Sequence, residues 1–182
     1  MESRFYRDFV NKLMLKMIEF DRGDAKRIQH FVKVHSFAAL IAEEERLSAR
    51  SRFIIECAAI LHDIGIHPAE QKYGSSAGHL QEREGPPYAR ALLEQTRADF
   101  VQEAAGEAIS DEEIERVCFL IAHHHTYASI QGDDWQILVE ADFLVNIYED
   151  NFTCENVKKT CERVFKTRTG KALCEEIYFP ET

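Results

Sequence analysis

A histidine and an aspartate, His62 and Asp63, stand side by side at the end of the apolar run 57–61 and directly before Ile64-Gly65. An imidazole and a carboxylate are both good ligands for a borderline divalent metal ion. Their position where a buried helix is expected to end would hold both groups on a rigid element. The chemistry that this pair suggests is metal-assisted hydrolysis. The further candidates for the same site are His35, the histidines at 123–125, and Asp142.

Two of these candidates lie in segments that otherwise look like protein core. His35 falls on the apolar face of a predicted helix, and Asp142 interrupts one of the most apolar helical stretches of the chain. Moving a carboxylate from water into the core without a partner costs on the order of several kcal/mol, so a buried Asp142 must be paired or bound to a cation. Taken singly, each residue has an ordinary explanation: a core histidine, an arginine-paired aspartate, or a histidine at a helix end. One metal ion contacted from several helices would account for all of them together.

The ordered set His35, His62-Asp63 and Asp142 resembles the HD superfamily of metal-dependent phosphohydrolases. The surrounding sequence is also similar to that family over about residues 26–150. The resemblance implies an all-α fold, a single-domain helical bundle of the HD-domain type. The segments that carry the likeness are 58–65, 84–93, 121–125 and 140–145.

The resemblance implies a specific set of site residues. The metal ligands would be His35, His62, Asp63 and Asp142, around one divalent ion (Zn, Mn, Fe, Co, Ni or Mg). Asp63 would also orient the attacking water, and His124 would bind the phosphate or protonate the leaving oxygen. Family members with two ions have a histidine at the position of Gln81, which argues against a second ion. Candidates for binding the substrate are His67, Gln81, Glu84, His123 and His125.

The expected activity is therefore that of a phosphohydrolase, a phosphomonoesterase or phosphodiesterase acting on a nucleotide or a small phosphorylated metabolite. Two other classes stay open. Helical proteins of similar fold include di-iron oxygenases, which would need the second ion that Gln81 disfavours. A metal-stabilised sensor or ligand-binding domain would contain the same ligands and show no turnover.

Bulk properties limit the partners and the compartment. The 182 residues are 45% hydrophobic and 30% charged, with a net charge of −10. This acidic balance argues against nucleic acid or an anionic membrane as the partner. It does not exclude a small phosphorylated substrate, because a bound cation can invert the local field. The five cysteines form no CxxC pair, so we expect free thiols in a reducing cytoplasm. A homo-oligomer is compatible with the sequence.

Apolar spacing predicts helices almost throughout, with no strand signals. We expect one domain over 1–182, in which 26–150 form the metal-binding core and 1–25 and 151–182 contribute flanking helices. Ser48, the pair Ser110 and Glu113, and Asn151 or Thr153 are expected caps. The predicted helices are 4–20, 25–46, 49–61, 87–96 beginning at Pro86-Pro87, 98–108, 111–124, 134–149 and one or two more to about 177. Residues 66–84 are predicted to form a long loop.

Overall fold

The computed structural model describes residues 4–103 and 108–179. The helices are α1 (Arg4–Phe20), α2 (Ala25–Glu44), α3 (Ala49–Leu61), α4 (Ile66–Tyr73), α5 (Gly78–Glu103), α6 (Asp111–Ile121), a 3₁₀ turn (Tyr127–Ser129), α7 (Asp133–Glu149), α8 (Cys154–Val164) and α9 (Arg168–Tyr178). No strand occurs within these described ranges. The prediction of an all-α fold is confirmed. None of the described helices combines the length and the apolar composition needed to cross a bilayer.

Helix α3 lies at the centre of the bundle, in contact with α1, α2, α6 and α7. Its last nine residues are buried apart from Glu56, as the density of apolar side chains there predicts. Each large aliphatic side chain buried in this way contributes about 2 kcal/mol to stability. This burial also positions the site, because His62 and Asp63 directly follow the rigid end of α3 in the middle of the protein.

The predicted helix starts are confirmed where a cap was expected. The Ser48 hydroxyl accepts a hydrogen bond from the backbone N–H of Ser51 and begins α3. Ser110 and Glu113 form the reciprocal capping box that begins α6. Thr153, rather than Asn151, caps α8. These short-range bonds satisfy N–H groups that a helix cannot satisfy internally, which is why they can be recognised from local sequence.

The prediction of a loop over 66–84 is wrong. Helix α4 occupies 66–73 and α5 begins at Gly78, so the connection covers only residues 74–77. Gly74, at φ 66°, ends α4 in the left-handed conformation that glycine favours. Gly65 allows close packing instead: a Cβ there would lie 2.4 Å from the carbonyl oxygen of Gln81. Of the glycines that suggested a loose segment, Gly65 therefore belongs to a close contact with α5, and Gly74 ends α4.

The predicted helix start at Pro86-Pro87 is also wrong. Both prolines lie inside α5, which runs without a break from Gly78 to Glu103. Packing of α5 against α1, α4 and α6 outweighs the local preference of proline for a first turn. Of the helix expected at 98–108, residues 98–103 belong to α5, and residues 104–107 lie outside the described residues.

Two features fasten the C-terminal helices to the bundle. The carboxylate of Glu140 is fully buried and accepts hydrogen bonds from the backbone N–H groups of Lys166 (2.5 Å) and Thr167 (2.9 Å) at the start of α9. A disulfide joins Cys161 of α8 to Cys174 of α9. The expectation that all five cysteines are free is therefore wrong for this pair, and it no longer supports a reducing compartment.

Candidate metal site

Three helices bring two imidazoles and two carboxylates to one point inside the bundle. His30 comes from α2, His62 and Asp63 end α3, and Asp142 comes from α7. The Nε2 atoms of His30 and His62 lie 3.2 Å apart. The Oδ1 of Asp142 is 3.2 Å from His30 Nε2 and 3.6 Å from His62 Nε2. The Oδ2 of Asp63 is 3.6 Å and 3.4 Å from the same two nitrogens.

The other nitrogen of each imidazole fixes the direction of the ring. His62 Nδ1 lies 2.9 Å from the carbonyl oxygen of Ala59, and His30 Nδ1 lies 3.0 Å from Oε2 of Glu149. A carbonyl or carboxylate oxygen can only accept, so each Nδ1 carries the hydrogen and donates it. In the neutral ring, the lone pair is then on Nε2 and points into the cluster. Metal-binding histidines are oriented by such outer hydrogen bonds.

The cluster attracts cations strongly. Burial favours the neutral form of Asp142, but hydrogen bonds from His30 and His62 outweigh it and lower the pKa of this carboxyl group. Burial likewise favours neutral His62, but the charge of Asp63 and the hydrogen bond to Asp142 raise its pKa well above the usual value. In the absence of a metal ion the cluster therefore retains protons. A divalent ion would compete for the same lone pairs.

The spacing of the four groups fits a metal ion. Ligands at about 2.1 Å from an ion lie about 3.0 Å apart at right angles and about 3.4 Å apart in a tetrahedron. The separations of 3.2 to 3.6 Å are of this size. His30, His62 and Asp63 form one group able to hold a metal ion, and Asp142 faces both imidazoles. This donor set of nitrogen and carboxylate oxygen suits several divalent ions.

A second group able to hold a metal ion shares Asp63 with the first, and its other members are His124 and His125. His124 Nδ1 lies 2.7 Å from the carbonyl oxygen of Ile121, which directs Nε2 toward Oδ1 of Asp63 at 3.5 Å. This Nε2 is buried and has no hydrogen-bond partner among the described residues. A buried polar atom without a partner is costly, so His124 is poised for an ion, a water molecule or a substrate oxygen.

Both nitrogens of His125 already have neighbours. Its Nε2 lies 3.3 Å from Oε1 of Gln81, and its Nδ1 lies 3.1 Å from the hydroxyl of Tyr127. Burial and the neighbouring His124 lower the pKa of His125 to about 4, so its ring is neutral at physiological pH. The structure thus places Gln81 beside the second group, where its amide oxygen contacts the Nε2 of His125.

The first group opens to solvent through a small cavity of about 270 Å³. His30 and Asp63 form its inner end, and the side chain of Asp63 is 19% exposed. Lys26 and Arg27 of α2 lie on one side of the cavity. Its remaining polar lining comes from Asp24, Ser76, Asn146, Glu149 and Asp150. A small molecule could reach the inner carboxylate with cationic side chains beside it.

The structure does not bring His35 to the cluster. Its Nε2 lies 3.0 Å from Oε2 of Glu56, on another side of α2. Residues five apart on an α-helix point about 140° away from each other, so His30 and His35 cannot face the same point. The expectation for His35 is therefore corrected: His30 takes the place assigned to it beside His62, Asp63 and Asp142.

The residues expected to bind substrate are scattered. His67 contacts Arg27, which lines the cavity, and is 3.5 Å from Asp21. Gln81 and His125 contact each other beside the second group. Glu84 accepts a hydrogen bond from the Tyr73 hydroxyl (2.7 Å), and His123 stacks on Phe119 away from the cluster. Glu84 and His123 therefore do not line the site, and among 123–125 the imidazoles near Asp63 are those of His124 and His125.

Sequence reasoning missed His30, Glu149 and the cationic pair Lys26 and Arg27. The buried positions of α2 include His30, Val34, Ala38 and Ile41, a helical stripe that excludes residue 35 but that only the packed structure reveals. Glu149 gave no signal either. Its contact with His30 joins residues 119 apart in the chain.

The fold and the cluster together define an all-α protein with a buried histidine–aspartate site able to hold a metal ion. The profile of the HD domain family matches residues 27–153. The chain therefore belongs to the HD domain family, as the resemblance of its motifs predicts. No curated protein sequence matches it.

A crystal structure with a similar fold is that of a predicted HD superfamily hydrolase from an uncultured Thermotogales bacterium. The two chains are 23% identical, and their superposition gives a TM-score of 0.59. The match covers 94% of this chain and 84% of the other. At this identity the likeness concerns the fold.

Proposed function

We propose that this protein is a metal-dependent phosphohydrolase that cleaves the phosphate ester of a nucleotide or a small phosphorylated metabolite. The observation that carries the proposal is the convergence of His30 Nε2, His62 Nε2 and oxygens of Asp63 and Asp142 within 3.2 to 3.6 Å. The name of the Thermotogales protein, a predicted hydrolase, agrees with the proposal. We propose His30, His62, Asp63 and Asp142 as the ligands of one divalent ion.

A divalent ion bound there would polarise a phosphoryl oxygen and lower the pKa of a bound water. The two carboxylate oxygens of Asp63 face different residues. Its Oδ2 faces His30 and His62, and its Oδ1 faces His124. Oδ1 can therefore accept a hydrogen bond from the attacking water and orient it, as a general base does.

His124 is the residue best placed to move a proton on the other side of Asp63. Its Nδ1 hydrogen is committed to Ile121, so its Nε2 alone is available for exchange. We propose that Nε2 binds a phosphate oxygen or delivers a proton to the departing oxygen. Lys26 lines the cavity and supplies positive charge near the place where a phosphate dianion would enter, whereas Arg27 already pairs with Asp24 and Glu70.

One ion is proposed rather than two because both nitrogens of His125 are engaged by Gln81 and Tyr127. Binding a second ion would require His125 to give up at least one of these contacts. The di-iron alternative needs that second ion, and this structure gives it less support than the single site.

The test compares two histidines of the same helix. His30→Ala is expected to lose bound metal, measured by elemental analysis, while His35→Ala keeps it. The His62→Ala/Asp63→Ala double variant is expected to behave as His30→Ala does. Each folded variant and the wild type are then assayed against a panel of phosphate monoesters, phosphodiesters and nucleotides. Wild-type metal content in folded His30→Ala would refute the ligand assignment, and metal without turnover on any ester would favour the sensor alternative.

A further inference from the structure

A second cavity, larger than the one that leads to the metal site, lies between the 3₁₀ turn, α7 and α8. Its volume is about 790 Å³, against about 270 Å³ for the cavity at His30 and Asp63. None of the four proposed ligands lines it. Helix α8, which forms one side, lies beyond residue 153, where the family match ends. The cavity is therefore built partly from a segment outside the residues that match the family.

One wall of this cavity is apolar and partly aromatic. The rings of Tyr127 and Phe143 meet edge to face, with centroids 5.2 Å apart, and Ile130 and Val164 extend the wall. Such a wall suits a flat apolar group, because ring edges and faces attract each other beyond the effect of buried area. Pockets of about 300 to 1,000 Å³ are the usual size for organic ligands.

The side formed by α8 carries positive charge. Lys159 and Arg163 lie one helical turn apart, and Lys166 follows just after the helix. Lys159 is paired with Glu155 at 2.6 Å, whereas Arg163 forms no ion pair with any residue that the structure describes. Lys166 donates to the carbonyl oxygen of Glu162 at 3.1 Å, so Arg163 is the cation of this side most available to an anion in a chain of net charge −10.

We propose that this cavity is a binding site for an aromatic organic anion. The ring packs against Tyr127 and Phe143, and the anionic group faces Arg163. The guanidinium presents several N–H donors in a plane that matches carboxylate, sulfonate or phosphate oxygens. The inference does not rest on the proposed phosphohydrolase activity, since the lining residues bind no metal in that proposal.

The cavity nevertheless adjoins the second metal-binding group through one side chain. Tyr127 lines the cavity, and its hydroxyl lies 3.1 Å from His125 Nδ1. A ligand packed on Tyr127 therefore contacts the residue that holds His125. The site is separate from the metal cluster, with Tyr127 between them.

The proposal is tested with full-length protein, with and without metal, by titrating 1-anilinonaphthalene-8-sulfonate and following its fluorescence. We expect saturable binding at one site per chain. Naphthalene-2-sulfonate should displace the probe, whereas methanesulfonate, which lacks the ring, and 2-naphthol, which lacks the charge, should compete at least about tenfold more weakly, a difference of about 1.4 kcal/mol. Equal competition by the neutral or the ring-free compound would overturn the proposal.

Two pairs of variants locate the site. Ala128→Trp fills the cavity and is expected to weaken probe binding about tenfold or more, whereas Ser129→Trp, on the same turn but outside the lining, should not. Arg163→Glu should weaken binding about fivefold or more, whereas Lys158→Glu makes the same charge change on an exposed position of α8 outside the lining. Circular dichroism and metal content establish that each variant is folded. Equal affinities within either pair would show that the probe binds elsewhere.

Discussion

The Nε2 atoms of His30 and His62 face each other at 3.2 Å, while the Nδ1 atoms of both rings are turned outward to Glu149 and to the Ala59 carbonyl. Two lone pairs at this distance repel unless a cation lies between or beside them. The carboxylate of Asp142 contacts both nitrogens and supplies the negative charge that keeps such a cation. The cluster can therefore hold protons at low pH, and a metal ion would compete for the same positions at higher pH.

This competition predicts how the metal's contribution to stability depends on pH. In the metal-free protein the pKa of His62 is raised above its ordinary 6.5. Protonated His62 therefore adds stability below about pH 6.5, and this contribution is lost as the pH rises through the folded-state pKa. Asp63 and Asp142, whose pKa values are lowered, stay ionised in both states above about pH 6 and add no further change.

We therefore expect the difference in melting temperature between metal-loaded and EDTA-treated protein to increase from about pH 6 to about pH 8.5. Differential scanning fluorimetry with Zn²⁺ or Mn²⁺ measures it. His35→Ala should show the same trend, and His30→Ala should show little difference at any pH. A difference that shrinks with rising pH in the wild type would contradict the protonated-cluster account.

Glu149 is expected to control metal affinity without binding the ion. Its Oε2 accepts the Nδ1 hydrogen of His30, and Lys33 holds its other oxygen. Glu149→Gln keeps an oxygen that can accept but removes the charge, so His30 becomes a weaker and less firmly oriented ligand. We expect metal affinity to fall roughly tenfold to a hundredfold, measured by competition with a chromogenic chelator. Asp150→Asn, which changes an exposed carboxylate on the same cavity, should leave the affinity unchanged.

The sequence predicted those parts of the site that depend on local signals. His62 and Asp63 stand at the end of an apolar helix, and Asp142 interrupts another, so their unusual position is visible in one dimension. The choice between His30 and His35 depends on how α2 is rotated about its axis. That rotation is set by its packing on α3, the next helix, and on α7, which is distant in the chain.

The same limit explains the error at residues 66–84. Glycine has two uses, loosening a chain and allowing two backbones to approach, and local sequence does not distinguish them. At Gly65 the second use applies, because the carbonyl of Gln81 occupies the space of a side chain. Similarly, the pairing of Cys161 with Cys174 depends on how α8 packs on α9 rather than on any spacing motif.

The disulfide predicts a redox-dependent stability. The bond joins cysteines 13 residues apart, and closing a loop of that length is expected to stabilise the fold by about 3 kcal/mol. The Cys161→Ser/Cys174→Ser variant should lose that amount in urea unfolding, and Cys154→Ser, which changes an exposed free thiol, should not. Dithiothreitol should destabilise the wild type and leave the double variant unchanged. Equal sensitivity of both to the reductant would show that the bond contributes nothing to stability.

Gln81 is the position at which the number of bound ions is expected to be decided. Its side-chain Oε1 lies 3.3 Å from His125 Nε2, and its amide nitrogen donates to the carbonyl of Ser76 at 2.6 Å. The residue is buried on α5, next to the second group of Asp63, His124 and His125. An amide there can occupy His125 but is a poor ligand for a borderline metal, whereas an imidazole is a good one.

We therefore expect Gln81→His to raise the metal content from one ion per chain to two, because the new imidazole joins His124 and Asp63 and releases His125 from its contact with residue 81. Elemental analysis after loading with Fe or Mn gives the stoichiometry, and electron paramagnetic resonance detects coupling between two ions that share a carboxylate. Gln95→His, the same change at an exposed position of α5, is the matched control. If both variants bind the same amount of metal and show no coupled signal, Gln81 does not decide the number of ions.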